Sequence, residues 1–503
     1  MRWGFMALAA CIAAPVAAAP ADWVAANQSK ILAEYAELLA IPNVASDIPN
    51  IRRNADHIVG MMRTRGLSPR LLEGSGPTVP PAIYGEWKVP GAKRTLILYA
   101  HYDGQPVTPE DWKSTAPFEP KLLTARLDKG GKEIPLPSAG TKIDPDWRLY
   151  GRSASDDKAG VMAILSAVDA LKAEGKRPAF NLKIFFEGEE EAGSPNLGDL
   201  LKRHKNMLQS DGWVIFDGPA HQTGAKQVVL GVRGVLSADI IVYGPSRPLH
   251  SGHYGNWAPN PAMMMSQLLA SMKDDSGRVT VAGFYDDVTP LTAAEKAAVA
   301  AVPNGDAALK DDLFLGWTEG GKRPLIELTH EPSLNVDGVR SADVGEKARN
   351  VVPSTAMATI DMRLVAGNDH QRQFDKVVAH IRKQGYFVTD KDPTPNERRQ
   401  HGKVAKVVKH GGYNAERTPL GHPLARDVAA AVRTVHADAV VLPSLGGSLP
   451  LYLLREGLSA PSVTLSLANH DNSQHAEDEN LRLGNLWDAI GVAATVMTMG
   501  PVR

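Results

Sequence analysis

The sequence has little cysteine, no excess of charge of one sign and no long apolar run after its first residues, and each absence excludes a class of protein. Cys11 is the only cysteine among 503 residues, so the chain beyond it can form no disulfide, thiol nucleophile or thiolate zinc site. The 55 Lys and Arg residues nearly balance the 56 Asp and Glu residues, which argues against a nucleic-acid partner. No later run approaches the ~18 apolar residues of a membrane span.

The Gly-x-Ser-x-Gly elbow is also missing before any helical segment, which excludes the serine hydrolases that use it. What is present is an ordinary globular composition, 43% hydrophobic and 22% charged, in a chain long enough for roughly two to four domains. A small-molecule substrate fits this balance of charge better than a polyanion does.

The N-terminus resembles an export signal. Arg2 supplies a positive charge, residues 3–16 are apolar, and small residues over 17–21 offer a cleavage site. We therefore predict that residues 1–21 are a signal peptide and that the mature protein is periplasmic or secreted. A second interpretation stays open, because Leu8 to Cys11 resembles a lipobox, which would leave the protein lipid-anchored through Cys11.

Strand-like apolar runs alternate with helical patterns in the first half of the chain. Residues 95–100, 180–186 and 213–216 are predicted to be buried strands, and residues 160–171 have apolar side chains at helical spacing. This alternation favours an α/β fold in which helices cover both faces of a mostly parallel sheet.

The pattern changes near residue 233. Residues 237–243 and 356–365 are predicted strands, residues 369–384 are a predicted helix, and the polar stretch 391–413 suits a return linker or an edge strand. These elements indicate a separate α+β unit inserted into the first domain. The predicted boundaries are 22–232 for the first part of a catalytic domain, 233–414 for the inserted unit and 415–503 for the second part of the catalytic domain.

Metal-binding residue types follow several of the predicted strands. His101, Asp156, the Glu189–Glu191 run and Asp217 each come shortly after an apolar run, and His475 follows near the end of the chain. Because open α/β sheets bind their ligands at the carboxyl ends of strands, these side chains are expected to form one shared metal site. The chain is therefore predicted to be a metal-dependent hydrolase.

The motifs YAHYDGQPV, GRSASDDKAG, FFEGEEEAGS and VIFDGP resemble, in order and spacing, those of the M20 metallopeptidases. That family includes carboxypeptidase G2-like enzymes, carnosinase-type dipeptidases and N-acyl amino acid deacylases. The resemblance implies a homodimer with a zinc-exopeptidase-like catalytic domain, interrupted by a smaller α+β lid and dimerisation domain. It also implies two Zn²⁺ ions per subunit, for which Co²⁺ or Mn²⁺ are alternatives.

The resemblance assigns a role to each ligand candidate. It places His101 and Asp217 on the first zinc, Glu191 and His475 on the second, and Asp156 as the bridge between them. Two alternatives come from the residues themselves. Asp156 and its neighbour Asp157 both precede a helix, where such residues usually cap, and His470 lies close enough to His475 in sequence to be confused with it.

Two further residues carry chemistry without binding metal. The resemblance makes Glu190 the general base that takes a proton from a metal-bound water, whose pKa the metal lowers. It places Asp103 behind His101, where a carboxylate fixes the tautomer and orientation of the imidazole.

The inserted unit and a late loop supply the candidates for substrate binding. The resemblance makes His250 a residue that reaches the active site of the partner subunit, and it places Asn350 and Arg363 near the substrate carboxylate. Arginine suits that task because its guanidinium binds a carboxylate through two hydrogen bonds. The loop Gly446, Gly447 and Ser448 could hold a carboxylate with its backbone N–H groups.

These observations favour a secreted dizinc metallopeptidase that hydrolyses dipeptides or C-terminal amino acid conjugates. An N-acyl amino acid deacylase with the same metals is the alternative. A non-enzymatic binding protein on this scaffold would need a lost ligand or base, and none is missing from the motifs. The side-chain preference of the substrate stays undecided at this point.

Overall fold

A computed structural model describes residues 21–502 of the chain. The predicted signal peptide, except its last residue, and Cys11 lie outside the described residues. Among the helices of residues 21–502, none combines the length and the hydropathy that a membrane span needs.

An eight-stranded mixed sheet forms the centre of the catalytic domain. From one edge to the other its strands are Arg70–Leu72, Ala82–Trp87, Asn181–Glu187, Thr95–His101, Gly212–Phe216, Ser462–Leu465, Gln227–Val229 and Val440–Leu442. The third to sixth of these strands run parallel to one another. Their carboxyl ends therefore meet at one edge of the sheet, which is where the metal-binding motifs were predicted to converge.

Helices cover both faces of this sheet. Successive strand residues point to opposite sides, and the side chains on both sides are apolar. Leu96 and Leu98 belong to the apolar core on one face, whereas Ile97 and Tyr99 belong to the core on the other. The first face packs against the helices Ala21–Leu39, Ile48–Thr64, Lys158–Ala173, Pro423–Val435 and Leu483–Met497. The second packs against Leu197–Arg203, Lys205–Leu208 and Tyr452–Leu458. The predicted α/β class is confirmed.

A small antiparallel sheet, which was not among the predicted elements, joins two loops that are distant in sequence. Its strands in order are Asn480–Arg482, Arg148–Tyr150, Lys121–Leu123 and Glu133–Ile134. Asn480 pairs with Tyr150, so the loop that contains Asp156 lies beside the loop that contains His475.

The inserted unit has its own five-stranded sheet and its own core. The strands in order are Ser333–Arg340, Thr355–Leu364, Gly234–Tyr243, Val404–Tyr413 and Phe387–Thr389. The helices Pro261–Ala270 and His370–Lys383 cover one face, and the other face is half-exposed. Residues 404–406 pair with a strand on each side, whereas residues 407–413 pair only with Gly234–Tyr243. The expectation of an edge strand within residues 391–413 therefore holds for 407–413 and is wrong for 404–406.

Shorter elements complete the chain. They are the strand pairs Gly231–Val232 with Glu416–Arg417 and Leu249–His250 with Val351–Val352, the helices Ser251–Tyr254 and Pro395–Gln400, and the 3₁₀ turns Pro109–Asp111, Leu127–Lys129, Glu190–Ala192 and Gly345–Lys347.

Residues 291–330, here called the edge segment, leave the inserted unit and pack on the catalytic sheet. The segment contains the helices Ala293–Ala300, Asp306–Asp312 and Leu325–Leu328. Its Val302 and Ile326 share an apolar cluster with Val440 and Leu442 of the edge strand. Part of the stretch predicted as the inserted unit therefore covers the catalytic domain.

Candidate metal centre and substrate cavity

His101 ends a central strand, and its imidazole is fully buried. Asp103 lies behind the ring, with Oδ1 at 3.3 Å from His101 Nδ1. The same carboxylate accepts hydrogen bonds from the backbone N–H groups of Glu190, at 3.1 Å, and Glu191, at 3.0 Å. Asp103 thus contacts both the imidazole and the loop Glu189–Glu191, here called the glutamate loop, and its orienting role stays a prediction.

Asp156 lies between the two predicted metal sites. Its Oδ1 is 2.9 Å from His101 Nε2, and its Oδ2 is 3.3 Å from His475 Nε2. One oxygen of the carboxylate therefore faces each histidine, which is the arrangement that a bridging ligand requires. Asp156, Glu191 and His475 form one group of donors close enough to share an ion.

The choice between Asp156 and Asp157 follows from the hydrogen bonds of Asp157. Although Asp157 lies close enough to His101 and Asp217 to form a donor group with them, both of its oxygens are already used. One accepts from the backbone N–H of Gly160 and caps the helix Lys158–Ala173, and the other accepts from the backbone N–H of His101. Asp157 therefore caps the helix, and Asp156 is the residue whose two oxygens could bridge two metal ions.

The glutamate loop separates its carboxylates by function. Glu190 Oε2 lies 3.8 Å from His101 Nε2, and Glu191 Oε2 lies 3.3 Å from His475 Nε2. Glu189 instead turns away and accepts hydrogen bonds from Asn196. The structure therefore brings Glu190 and Glu191 to the metal centre and leaves Glu189 to hold the loop.

Asp217 follows the strand Gly212–Phe216 and completes the first site. Its Oδ2 lies 3.9 Å from His101 Nε2. His101 and Asp217 thus lie on one side, Glu191 and His475 lie on the other, and Asp156 contacts a histidine of each side. His470 belongs to neither group found among the described residues.

Burial and the proximity of other carboxylates oppose the ionisation of two carboxyl groups at this site. Burial, followed by the charge of Asp156, raises the pKa of Glu191 to about 8 and that of Asp217 to about 6. Burial also opposes the ionisation of Asp156, but hydrogen bonds from His101 and His475 outweigh it and lower the pKa of Asp156. The hydrogen bond with Asp156 is the main cause that raises the pKa of His475 to about 9.

This donor set fits two divalent cations. Four carboxylates and two imidazoles converge on the centre, without a buried lysine or arginine among them, so positive charge is what the cluster lacks. The ligand atoms are nitrogen and oxygen only, a set that suits Zn²⁺ and also Mn²⁺ or Co²⁺. The five residues that would hold the ions are His101, Asp156, Glu191, Asp217 and His475.

Three polar residues support the centre without having been predicted. Gln105 donates to Glu191 Oε2 at 2.7 Å, and Gln474 donates to Asp156 Oδ2 at 2.7 Å. Glu479 is fully buried and accepts from the backbone N–H of Asp156 at 2.9 Å. Gln105 and Gln474 lie in the same short segments as His101 and His475, and that proximity is the only sequence signal that could have identified them.

A cavity of about 740 Å³ opens beside the metal centre. Asp156, Glu190, Asp217 and His475 line it, together with Arg363 and the loop Gly446, Gly447 and Ser448. Arg363 is held on two sides, because its Nη1 donates to Ser448 Oγ at 2.9 Å and its Nε lies 3.2 Å from Asp361 Oδ1. The predicted carboxylate-binding residues and the predicted metal ligands therefore share one cavity.

His250 and Asn350 lie elsewhere. They are exposed on neighbouring segments of the inserted unit, where the backbone N–H of Ser251 donates to the carbonyl of Asn350. Neither residue lines the cavity of its own chain. The roles predicted for both of them stay predictions.

The fold and the paired donor set define a hydrolase with two adjacent metal sites, built on an α/β catalytic domain with a lid domain. More specifically, the chain belongs to peptidase family M20/M25/M40, whose pattern it matches over residues 97–499. It is therefore a metallopeptidase, and the predicted resemblance is confirmed.

Curated relatives match nearly the whole chain. The Cys-Gly metallodipeptidase of Candida albicans is 27% identical over 491 residues, which cover 92% of this chain and 93% of that protein. The Beta-Ala-His dipeptidase of Homo sapiens is 26% identical over 434 residues, covering 84% of this chain and 77% of that protein.

A solved structure has the same overall fold. The M20 family metallo-carboxypeptidase Sso-CP2 from Sulfolobus solfataricus superposes with a TM-score of 0.74 at 26% identity, covering 93% of this chain and 98% of that one.

Proposed function

We propose that the protein is an exported dizinc dipeptidase that acts on small peptides with a free C-terminus. The observation that carries this proposal is the position of Arg363, whose guanidinium lines the same cavity as Asp156, Glu190 and His475. A guanidinium beside a hydrolytic centre suits a substrate whose α-carboxylate lies close to the scissile bond. Relatives named as dipeptidases support this substrate class.

Bound cations would polarise the scissile carbonyl and lower the pKa of a water molecule. Glu190, whose side chain is 11% exposed and whose Oε2 lies 3.8 Å from His101 Nε2, takes the proton of the attacking water and later delivers it to the leaving amine. Arg363 binds the α-carboxylate, and Ser448 and Asp361 hold the guanidinium in place.

Chelation tests the metal requirement. Removing divalent ions from the purified protein should abolish hydrolysis of dipeptides, and added Zn²⁺ should restore it, with Mn²⁺ and Co²⁺ assayed in parallel. Full activity after exhaustive chelation would refute the proposed mechanism. N-acetyl amino acids belong in the same assay, because cleavage of these alone would favour the deacylase alternative.

Arg363→Met tests the carboxylate contact. We expect kcat/KM for a dipeptide to fall about 10- to 100-fold, since a hydrogen-bonded charge pair is lost. The preference of the wild type for a free C-terminus over its amide should disappear as well. The matched control is Arg382→Met. Arg382 is exposed on the helix His370–Lys383 of the inserted unit, so this variant should keep that preference.

Two further proposals concern the whole chain. Export, proposed from the N-terminal pattern, would be tested by fractionating cells that express the full sequence.

A homodimer is supported by the strand Ser333–Arg340 at the edge of the sheet of the inserted unit, which is largely exposed and carries Val339 at 56% exposure. An open edge strand of this kind is a surface that proteins normally cover.

A further inference from the structure

The cavity is larger than the chemistry of a small dipeptide requires. Its volume of about 740 Å³ lies within the range of roughly 300–1,000 Å³ that encloses drug-sized ligands. The metal centre and Arg363 account for one part of its lining. The edge segment, residues 291–330, lines another part, which the reaction described above leaves without a role.

The wall from the edge segment is mainly apolar. Seven of its eleven residues are apolar: Val299, Ala300, Val302, Pro303, Pro324, Leu325 and Ile326. The other four are Asn304, Asp306, Glu327 and Thr329. The lining also includes the loop that continues directly from the metal ligand Asp217, through Gly218, Pro219 and Ala220 to the polar residues His221 and Gln222. This part of the cavity therefore begins at the metal centre.

The charged groups in this part of the cavity are acidic. Asp306 and Glu327 of the edge segment both line it. Among the described residues around the whole cavity, Arg363 is the only lysine or arginine. An anionic group would therefore be attracted toward Arg363 and repelled from the edge segment.

The wall is held firmly rather than being a loose loop. Val299 and Val302 are buried, and Val302 packs against the catalytic strand Val440–Leu442. The side chain of Asp306 accepts from the backbone N–H of Leu325 at 3.0 Å, which ties two helices of the segment together. A packed wall can discriminate between substrates by shape.

We propose that the edge segment forms the specificity pocket for the residue that supplies the scissile carbonyl, and that this pocket takes a bulky apolar side chain and disfavours an acidic one. The inference rests on the proposed function. If Arg363 binds the α-carboxylate and the metal centre binds the carbonyl, the wall that adjoins the metal ligand Asp217 is the one that the acyl residue of the substrate would reach.

Ala300→Trp tests the shape of the pocket. Ala300 is exposed and lines the cavity, so an indole there should occupy the space for the bulky side chain. We expect the ratio of kcat/KM for Phe-Gly to that for Gly-Gly to fall roughly tenfold, the size of effect that small changes in apolar pockets produce. Ala297→Trp lies on the same helix, is exposed and does not line the cavity, and it should leave this ratio unchanged.

Glu327→Lys tests the charge of the pocket independently of its shape. At low ionic strength the ratio of kcat/KM for Glu-Gly to that for Leu-Gly should rise about two- to fivefold, as for an exposed ion pair. Asp312→Lys makes the same charge change on the edge segment outside the cavity and should not alter the ratio. The unfolding temperature of each of the four variants should be measured and compared with that of the wild type, to establish that each variant folds.

The outcomes separate this inference from the proposed function. If the wild type cleaves no dipeptide, the proposed function fails and the pocket assignment fails with it. If dipeptides are cleaved but Ala300→Trp and Glu327→Lys shift the ratios no more than their controls, only the pocket assignment is overturned.

Discussion

Asp103 serves three groups with a single buried carboxylate. It faces the imidazole of His101 and accepts from the backbone N–H groups of Glu190 and Glu191. If an amide replaced this buried carboxylate, its NH₂ group would face a group that now donates to a carboxylate oxygen. The position therefore links the first predicted metal site to the glutamate loop.

Asp103→Asn tests this link. We expect affinity for zinc to fall about 10- to 100-fold, as for other groups that orient a metal-binding histidine, while the protein still folds. Competition with a chromophoric chelator measures the affinity. Unchanged zinc affinity together with unchanged kcat would show that the hydrogen bonds of Asp103 are not needed for the centre.

Glu190→Gln separates metal binding from catalysis. The amide keeps the shape of the side chain but cannot accept the proton, so kcat should fall by roughly 10² to 10⁴. Metal content, measured by elemental analysis, should stay near that of the wild type.

Glu189→Gln is the control for that substitution. Its carboxylate holds Asn196 rather than the metal centre, so its main cost should be in stability. Loss of metal from Glu190→Gln would instead identify Glu190 as a ligand and contradict the assigned order of roles in the loop.

At the scale of elements, the small antiparallel sheet determines where the bridging carboxylate lies. Arg148 of this sheet pairs with Asp471, at 2.8 Å between Nη2 and Oδ2, and Asp471 belongs to the loop that leads to His475. The ion pair therefore joins the two loops that carry Asp156 and His475.

The pH dependence of stability should reveal this pair. Burial opposes the ionisation of Asp471, but hydrogen bonds from Arg148 and Asn469 outweigh it and lower the pKa of Asp471 below its ordinary value. Since the folded pKa is depressed, the stabilisation is complete above the unfolded value of about 3.9 and is lost as the pH falls below it.

Asp471→Asn should lower the free energy of unfolding by about 1–3 kcal/mol at pH 7. The difference from the wild type should shrink as the pH falls below about 4. Asp128→Asn, whose side chain is 53% exposed beside Arg126, should cost ~1 kcal/mol or less. A deficit for Asp471→Asn that does not change with pH would exclude the ion pair as its cause. Denaturant titrations at several pH values provide the measurement.

At the scale of the whole molecule, the predicted role of His250 requires a second subunit. The residue is exposed on the lid and does not line the cavity of its own chain. If it donates to the substrate carbonyl in the partner's site, His250→Ala should lower kcat by about 10² to 10³, the usual cost of losing such a donor.

Subunit exchange tests this arrangement directly. In a mixed dimer of His250→Ala and Glu190→Gln, one site has both defects and the other has neither. Activity should recover to about a quarter of wild type, because half of the dimers are mixed and each has one intact site. No recovery after exchange, verified with labelled subunits, would mean that His250 acts within its own chain or not at all.

The sequence by itself determined the types of ligand and the elements that carry them. Local sequence pattern predicted the helix at residues 369–384, observed as His370–Lys383, and the strand at 356–365, observed as Thr355–Leu364. These features are local, because a helical or alternating pattern depends on residues only a few positions apart. The motifs around His101 and Asp217 were recognisable for the same reason.

The tertiary structure decided which side chains meet. Asp156 rather than Asp157 faces both histidines because Asp157 is used by Gly160 and His101. Glu479, more than 300 residues away in sequence, accepts from the backbone N–H of Asp156 and fixes that part of the loop. The stretch 391–413 was predicted as a linker or an edge strand because its side chains are polar. Residues 407–413 do pair on one side only, but residues 404–406 have a second partner in Phe387–Thr389. Residues 291–330 have no local signal for the catalytic sheet on which they pack. Such contacts depend on strand order and on distant loops, which no local pattern encodes.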